Sequence, residues 1–316
     1  MKDILVTGGA GFIGSHLCEF LLRAKKRLAI LDSLDDFYDP HLKHTNLEEI
    51  SATGKFDFFQ TDVRDLAKLR EVFKLFRPQC VVHLAARAGV RPSLLYPDLY
   101  VSTNIVGTAN LLELSRQYEV QRFVFASSSS VYGLTDHVPF SEEQCTNRPL
   151  SVYGATKLAG ETLTATYAHL YPLSVICLRF FTVYGPRQRP DLAIRKFAQL
   201  ILEGKEVTLY GDGSMQRDYT FVDDIVTGIA RALESDFRFE VFNLGNSNPV
   251  SLDEMVRALE RVLNKPARRK YLPAPPGEMF ITCADIAKSR RLLGYDPKVR
   301  FEDGLHAFVE WLSERG

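Results

Sequence analysis

Cysteine is scarce in this sequence. Five residues (Cys18, Cys80, Cys145, Cys177 and Cys283) are scattered through 316 positions, odd in number and without a CxxC pair. A disulfide framework and a paired-cysteine zinc site are thereby disfavoured, and reduced thiols are the expected state. Net charge is missing as well. The 39 Lys and Arg residues balance 39 Asp and Glu, which argues against a nucleic-acid or anionic-membrane binder working by bulk charge, though a local anion site stays open. No apolar run approaches the roughly 18 residues that span a bilayer. Met1-Lys2-Asp3 leads straight into a strand-like run, which reads as no secretory leader, so a cytoplasmic chain with no nucleic-acid or membrane partner is expected. Internal repeats and low-complexity segments are also absent.

What remains is the balance of an ordinary globular protein, 46% apolar and 25% charged, in a chain long enough to bury its own core without staples. Short apolar runs at Ile4 to Val6, Leu28 to Leu31, Asp57 to Phe59, Cys80 to Leu84, Phe123 to Ala126 and Ser174 to Leu178 alternate with helical stretches. The predicted helices include Ser15 to Ala24, Val101 to Tyr118 and Tyr153 to Leu170. Strands apolar on both faces and separated by helices predict a parallel, doubly wound α/β sheet of the Rossmann type. Beyond Arg179, Gly and Pro become frequent and helices at Ile194 to Glu203, Asp223 to Leu233 and Leu252 to Leu263 are joined by longer loops. The expected division is a dinucleotide-binding domain over 1–180 plus about 214–248, and a smaller mixed α/β lobe over about 181–213 and 249–316.

The first strand runs into TGGAGFIGSH, where Gly8, Gly9, Gly11 and Gly14 stand just before a helix. Missing side chains let the backbone turn tightly and let a pyrophosphate approach the free N–H groups of the helix. Asp32 ends the second strand eighteen residues past Gly14, placed to accept from an adenosine ribose and to repel a 2′-phosphate. No Lys or Arg follows it before Lys43, which favours NAD over NADP. The bland alternative for Asp32 is a loop cap beside Asp35, Asp36 and Asp39. Asp62, ending the third strand, is a candidate for the adenine amino group.

Tyr153 and Lys157 in YGATK are four residues apart at the start of a helix, so both face one side. A free tyrosine titrates near ~10. A neighbouring ammonium and the positive ring of bound NAD would bring the phenol down into range for a base. Ser127 to Ser130, just past the fifth strand, stand at the carboxyl edge where such sheets take ligands.

These motifs, with His83 to Ala86 (HLAA), the helix bearing Asn104 and Arg217 to Asp224 (RDYTFVDD), together resemble the extended short-chain dehydrogenase/reductase family. The likeness extends from the first strand to Ala284-Asp285-Ile286. Leu178 to Asp191 (LRFFTVYGPRQRPD) is most similar to nucleotide-sugar 4-epimerases, the UDP-glucuronate 4-epimerases in particular. The resemblance implies C4 epimerisation of a UDP-sugar through a 4-keto intermediate, with Ser128, Tyr153 and Lys157 catalytic. It implies that NAD is held by Gly8, Gly11, Phe12, Ile13, Gly14, Asp32, Asp62, Val63, Leu84, Ala85, Ala86 and Asn104, with Tyr153 and Lys157. It places the sugar nucleotide on Arg91, Ser127, Ser128, Ser129, Thr182, Arg189, Thr208, Tyr210, Arg217 and Glu278, with no metal.

Two departures narrow the reaction. Where dehydratases of the family carry an Asp-Glu pair, this chain has Ser129 and Ser130, which cannot supply an elimination across C5 and C6. Where UDP-glucose epimerases have an Asn, it has Thr182. Arg189, or else Arg187, would pair with a sugar carboxylate. Ser127, Ser128 and Thr182 would add hydrogen-bond donors that hold this group against loss of CO2. The alternatives are a UDP-glucose or UDP-N-acetylglucosamine 4-epimerase and, in another class, a non-catalytic NAD-binding regulatory protein. Relatives pair through the helices corresponding to Val101 to Tyr118 and Tyr153 to Leu170, so a homodimer is expected.

Overall fold

The computed structural model describes residues 3–135, 137–144, 146–273 and 279–314. Strand and helix alternate first as Asp3–Thr7 (β1), Phe12–Arg23 (α1), Arg27–Asp32 (β2), Pro40–Thr53 (α2), Asp57–Gln60 (β3), Leu66–Phe76 (α3) and Cys80–His83 (β4). Val90–Leu95 (α4), Pro97–Val101 (α5), a π turn at Ser102–Val106 and Gly107–Gln117 (α6) follow, then Arg122–Ser128 (β5), Val152–Leu170 (α7) and Ser174–Phe180 (β6). The remainder is Thr182–Tyr184 (β7), Ala193–Leu202 (α8), Glu206–Tyr210 (β8), Gln216–Phe221 (β9), Val222–Glu234 (α9), Phe239–Leu244 (β10), Pro249–Ser251 (β11), Leu252–Leu263 (α10), Arg268–Leu272 (β12), Ala287–Leu293 (α11) and Phe301–Ser313 (α12).

Seven strands form one parallel sheet in the order β10-β6-β5-β4-β1-β2-β3. The period of two in each strand sorts residues between two buried layers. Ile4, Val6, Val82, Val124 and Ile176 enter one, while Leu5, Val81, Phe123, Phe125 and Val175 enter the other. Burial on both faces is why these strands read as unbroken apolar runs. The strand order reverses between β1 and β4, and the crevice beyond their carboxyl ends is where such a sheet takes a ligand.

The second lobe holds a three-stranded sheet, β11-β9-β7, and a two-stranded one, β12-β8. This corrects one part of the expected division. Within 214–248, α9 and β10 do pack with the large sheet, but β9 pairs with β7 in parallel and β11 antiparallel. The reason is Asp218, fully buried on β9, whose carboxylate accepts from Asn246 N, Ser247 N and Ala284 N at 2.7, 2.9 and 2.9 Å. Those bonds tie β9 to the loops of the smaller lobe.

The single helix expected over Val101 to Tyr118 is divided by the π turn, where Asn104 turns inward. Its Oδ1 accepts from Arg87 N at 2.8 Å, and its Nδ2 donates to Arg87 O at 2.9 Å and Thr156 Oγ1 at 3.0 Å. A widened turn of this kind is a common mark of a functional region. Among the described residues, no helix is long and apolar enough to cross a membrane.

Candidate active site

At the end of β1 the glycines are required by contacts, each for a different reason. Gly8 has a φ of +70°, and a Cβ there would lie 2.7 Å from Ala85 N, so the turn touches the loop after β4. A Cβ at Gly14 would come within 2.2 Å of Gly8 O, so α1 starts hard against the turn. Gly11 caps α1 without a side-chain bond and no acidic residue stands in the first helical turn. The N–H end of α1 is therefore open to an anion. It faces a cavity of about 450 Å³ lined by Gly8, Gly11, Phe12, Ile13 and Gly14 together with Asp32, Asp62, Val63, Leu84, Ala85 and Ala86. These donors, one acceptor carboxylate per strand end and the apolar walls fit a dinucleotide.

Asp32 sits at the tip of β2, accepting from Ala10 N at 3.1 Å and Leu34 N at 2.9 Å. Burial pushes its carboxyl above the usual range, against those bonds and the nearby Lys43 charge. Asp62 is held by Arg64, through Nε at 3.0 Å and Nη2 at 2.6 Å, and those bonds draw it down. The distance of Lys43 along the chain proves misleading. The turn into α2 brings its amine back to Asp35, 2.8 Å from the backbone O and 3.0 Å from Oδ1, and it lines the same cavity. Arg87 pairs with the other Asp35 oxygen at 3.3 Å. The cations around the adenosine end are thus matched by carboxylates, which preserves the argument for an unphosphorylated ribose on different grounds.

The expected catalytic residues converge on the floor. Tyr153, Lys157 and Ser127 to Ser130 all line the cavity. The Ser128 hydroxyl is near enough to the Tyr153 phenol to draw it down against burial. Ser128 Oγ accepts from Ser130 N at 3.1 Å. Lys157 donates to Ala126 O at 2.7 Å, with its amine 6.0 Å from the centre of the Tyr153 ring. Burial pulls that amine down to about 8, opposed by Glu161 one turn along α7. Burial pushes the Tyr153 phenol up, and the groups drawing it back are the Ser128 hydroxyl and the Arg189 charge. The cleft by itself thus opposes loss of the Tyr153 proton.

Ser127 is also placed differently from expectation. Its hydroxyl donates to Glu161 Oε1 at 2.5 Å beneath the floor, so towards the cavity it offers lone pairs and cannot be a donor to a carboxylate. Asn104, expected at the cofactor, has its amide committed to Arg87 and Thr156 and is absent from the cavity wall. It shapes the loop behind Ala86 instead.

The two candidate arginines separate cleanly. Arg189 lines the cavity with Thr182, its guanidinium 5.3 Å from the Phe37 ring and bidentate to Asp191 at 2.9 and 2.8 Å. Arg187, with a φ of +62°, is absent from the cavity lining and pairs instead with two acids, buried Glu19 at 2.5 Å and half-buried Glu49. Arg91 stacks over the Tyr210 ring at 4.7 Å. Arg91, Thr208, Tyr210 and Arg217 are absent from the cavity lining. Arg217 donates to Gln216 O at 2.8 Å. Glu278 lies outside the described residues.

Several contributors escaped the sequence reading. Arg87 directly follows HLAA, a position that could have been tested. Phe37, with Arg87 at 5.4 Å on it as well as Arg189, joins the loop after β2 to the Arg189 side of the cleft. His83 is held neutral, its pKa brought down to about 3 by burial and the Lys157 charge. Thr7 Oγ1 lies 2.7 Å from its Nδ1 and Thr108 Oγ1 lies 3.0 Å from its Nε2.

The family described as GDP-mannose 4,6 dehydratase matches residues 5–308. A UDP-glucuronate 4-epimerase of Thermodesulfobacterium geofontis is 43% identical over 315 residues, covering 99% of this chain and 97% of that protein. The crystal structure of a UDP-glucuronic acid 4-epimerase from Bacillus cereus, in complex with UDP-glucuronic acid and NAD, superposes with a TM-score of 0.93 at 37% identity, over 99% of both chains. A UDP-glucose 4-epimerase of Thermotoga maritima, solved with UDP-glucose, has a TM-score of 0.91 at 33% identity over 99% of both chains.

Proposed function

The chain belongs to the GDP-mannose 4,6-dehydratase family of extended short-chain dehydrogenase/reductases, and from that membership we propose that it is an NAD-dependent C4 epimerase, an isomerase interconverting UDP-glucuronate and UDP-galacturonate. The observation that carries the choice of sugar is Arg189, a guanidinium that lines the same cavity as Tyr153 and Ser128 and is near enough for its charge to act on the Tyr153 phenol. Dehydration, which the family's name describes, lacks its acid–base pair. The carboxylates lining the described cavity are Asp32, Asp35 and Asp62, all at the adenosine end, and Ser129 and Ser130 stand by Tyr153.

In this reading NAD, once bound, accepts a hydride from C4 and returns it. The chain's own residues handle the proton and the geometry. Tyr153 takes the proton of the C4 hydroxyl and gives it back, and Ser128 hydrogen-bonds the C4 oxygen. The Arg189 charge already draws the Tyr153 phenol down against burial, and a bound, positively charged nicotinamide ring would add to it, which would make Tyr153 a competent base in the loaded enzyme. Lys157 orients the nicotinamide ribose beside it. Arg189 and Thr182 hold the carboxylate, which in the 4-keto acid must be kept from the orientation that releases CO2. Arg217 would meet the diphosphate, and Arg91, Thr208, Tyr210 and Glu278 the uridine side. The large-sheet elements would carry NAD, with β7, α8, β8, β9 and the segment from β11 onward carrying the sugar nucleotide. Exposed Val101 at the end of α5, Val106 in the π turn and Leu170 at the end of α7 support a homodimer through the stretches Val101 to Tyr118 and Tyr153 to Leu170, and the composition fits a cytoplasmic enzyme.

The test is an NMR time course with UDP-glucuronate, beside UDP-glucose in a parallel tube. UDP-galacturonate forming without CO2 or a pentose supports the proposal. Turnover of UDP-glucose alone would refute the assignment of Arg189.

A further inference from the structure

Glu161 lies under the cavity floor, one helical turn beyond Lys157 on α7 and 6% exposed. Its Oε1 accepts from Ser127 Oγ at 2.5 Å and from Arg179 Nε at 2.9 Å, and its Oε2 accepts from Arg179 Nη2 at 2.7 Å. Arg179, on β6, is 4% exposed and stacks over the Tyr132 ring at 4.7 Å. A buried ion pair of this kind is a poor source of stability, since well-packed apolar residues often do as well. Its location suggests another use, because two of the groups it touches or influences, Ser127 and Lys157, line the cavity.

We propose that Glu161 is a positioning residue for the epimerase chemistry, fixing Ser127 as a hydrogen-bond acceptor towards the sugar and holding the ammonium form of Lys157 beneath Tyr153. The inference rests on the epimerase reading and adds a residue that touches neither substrate nor cofactor. On the Ser127 side the argument is one of proton count. A hydroxyl has one proton, and at 2.5 Å from a carboxylate oxygen that proton is committed. Ser127 then recognises a sugar hydroxyl, which can donate, rather than a carboxylate, which cannot.

On the Lys157 side the argument is one of charge. The amine is 4% exposed and has one hydrogen-bond acceptor, Ala126 O, at 2.7 Å. From α7 it is faced by Tyr153 and influenced by Glu161, from β4 by neutral His83, and from β5 by Ala126 O and the Phe125 ring. From β6, Arg179 and the Cys177 thiol, kept protonated by burial, lie behind Glu161. Glu161 is the negative charge in this set, and it opposes the burial that would otherwise strip the proton from Lys157.

The experiment uses the enzyme with its bound NAD and measures kcat against pH with UDP-glucuronate for the wild type, E161Q, E161D and S127A. Loss of the charge in E161Q moves the alkaline limb, set by Lys157 at about 8, to lower pH by about one unit, so that kcat falls below the wild type about five-fold at about pH 8 and about two-fold near pH 7. E161D keeps the charge and leaves the limb in place. S127A raises KM without moving the limb. Because E161Q strands Arg179, the doubly neutral E161Q/R179Q is measured alongside, and its limb is also expected below that of the wild type. An unmoved limb in the folded enzyme lacking this charge, or an equal movement in S127A, overturns the proposal while the epimerase reading stands. Absence of turnover in the wild type overturns both.

Discussion

Replacing Arg189 with Met removes one charge and keeps most of the side-chain length, so its effect separates into two parts. The first is common to every substrate. Arg189 is one of two groups drawing the Tyr153 phenol down against burial, so its loss raises the phenol further and shifts the acid side of the activity profile to higher pH. The second is specific to an acid sugar. A charge-assisted hydrogen bond between a guanidinium and a carboxylate contributes about 1.5–3 kcal/mol. At 1.36 kcal/mol per decade this is about 10- to 150-fold in kcat/KM. Asp191, 40% exposed at its side chain, is left facing solvent, so the fold should tolerate the change. The assay is kcat/KM for UDP-glucuronate on wild type and Arg189→Met at several pH values, with carbohydrate products resolved by NMR. The expected outcome is a loss of that size persisting at the pH optimum of each enzyme, with a pentose product from the less restrained 4-keto acid. A loss that vanishes once each enzyme is compared at its own optimum would mean that Arg189 acts only on Tyr153, and would refute the carboxylate assignment.

Other outcomes follow from the same geometry. Tyr153→Phe should lower kcat by about 10²- to 10⁴-fold, the usual range for a lost acid–base group, with NAD content unchanged; full activity would remove Tyr153 from the mechanism. Gly14→Ala places a Cβ 2.2 Å from Gly8 O, so the purified protein should carry little NAD by release and absorbance, and a fully loaded variant would contradict the phosphate-turn argument. Arg187→Ala leaves Glu19 and Glu49 without their shared cation. Glu19 keeps Arg23 at 3.0 Å and Glu49 is partly exposed, so the fold should lose about 1–3 kcal/mol, seen as a lower thermal midpoint in the holoenzyme, and an unchanged midpoint would refute the reading of Arg187 as structural.

The parts of the fold legible in the sequence were those where one local pattern suffices. The unbroken runs of β1, β2, β4, β5 and β6 could only be strands covered on both faces, and the glycines before α1 could be read as a ligand turn from their spacing. Asn104 was legible as a residue of interest but not in its role, because the π turn that rotates it inward depends on Arg87 and Thr156, distant in sequence. Ser127 was misjudged as a donor for the same reason. Its proton is assigned by Glu161, which lies 34 residues away and reaches it only once α7 packs on β5. Arg189 is preferred to Arg187 by resemblance, since two arginines in one loop offer no physical ground for choosing. That ground comes from Glu19 on α1 and Glu49 on α2, which take Arg187 out of the cavity. Lys43 shows the opposite error, where distance along the chain hid proximity in space.

The central claim is that C4 is oxidised and reduced in place, with the hydride returning to the carbon it left. The most direct test is turnover of UDP-glucuronate carrying deuterium at C4, with the product read by NMR and mass spectrometry. The account predicts UDP-galacturonate that keeps the deuterium at C4, with a slower rate than unlabelled substrate and no exchange with solvent. Deuterium lost to water, or a product inverted at a different carbon, would contradict it.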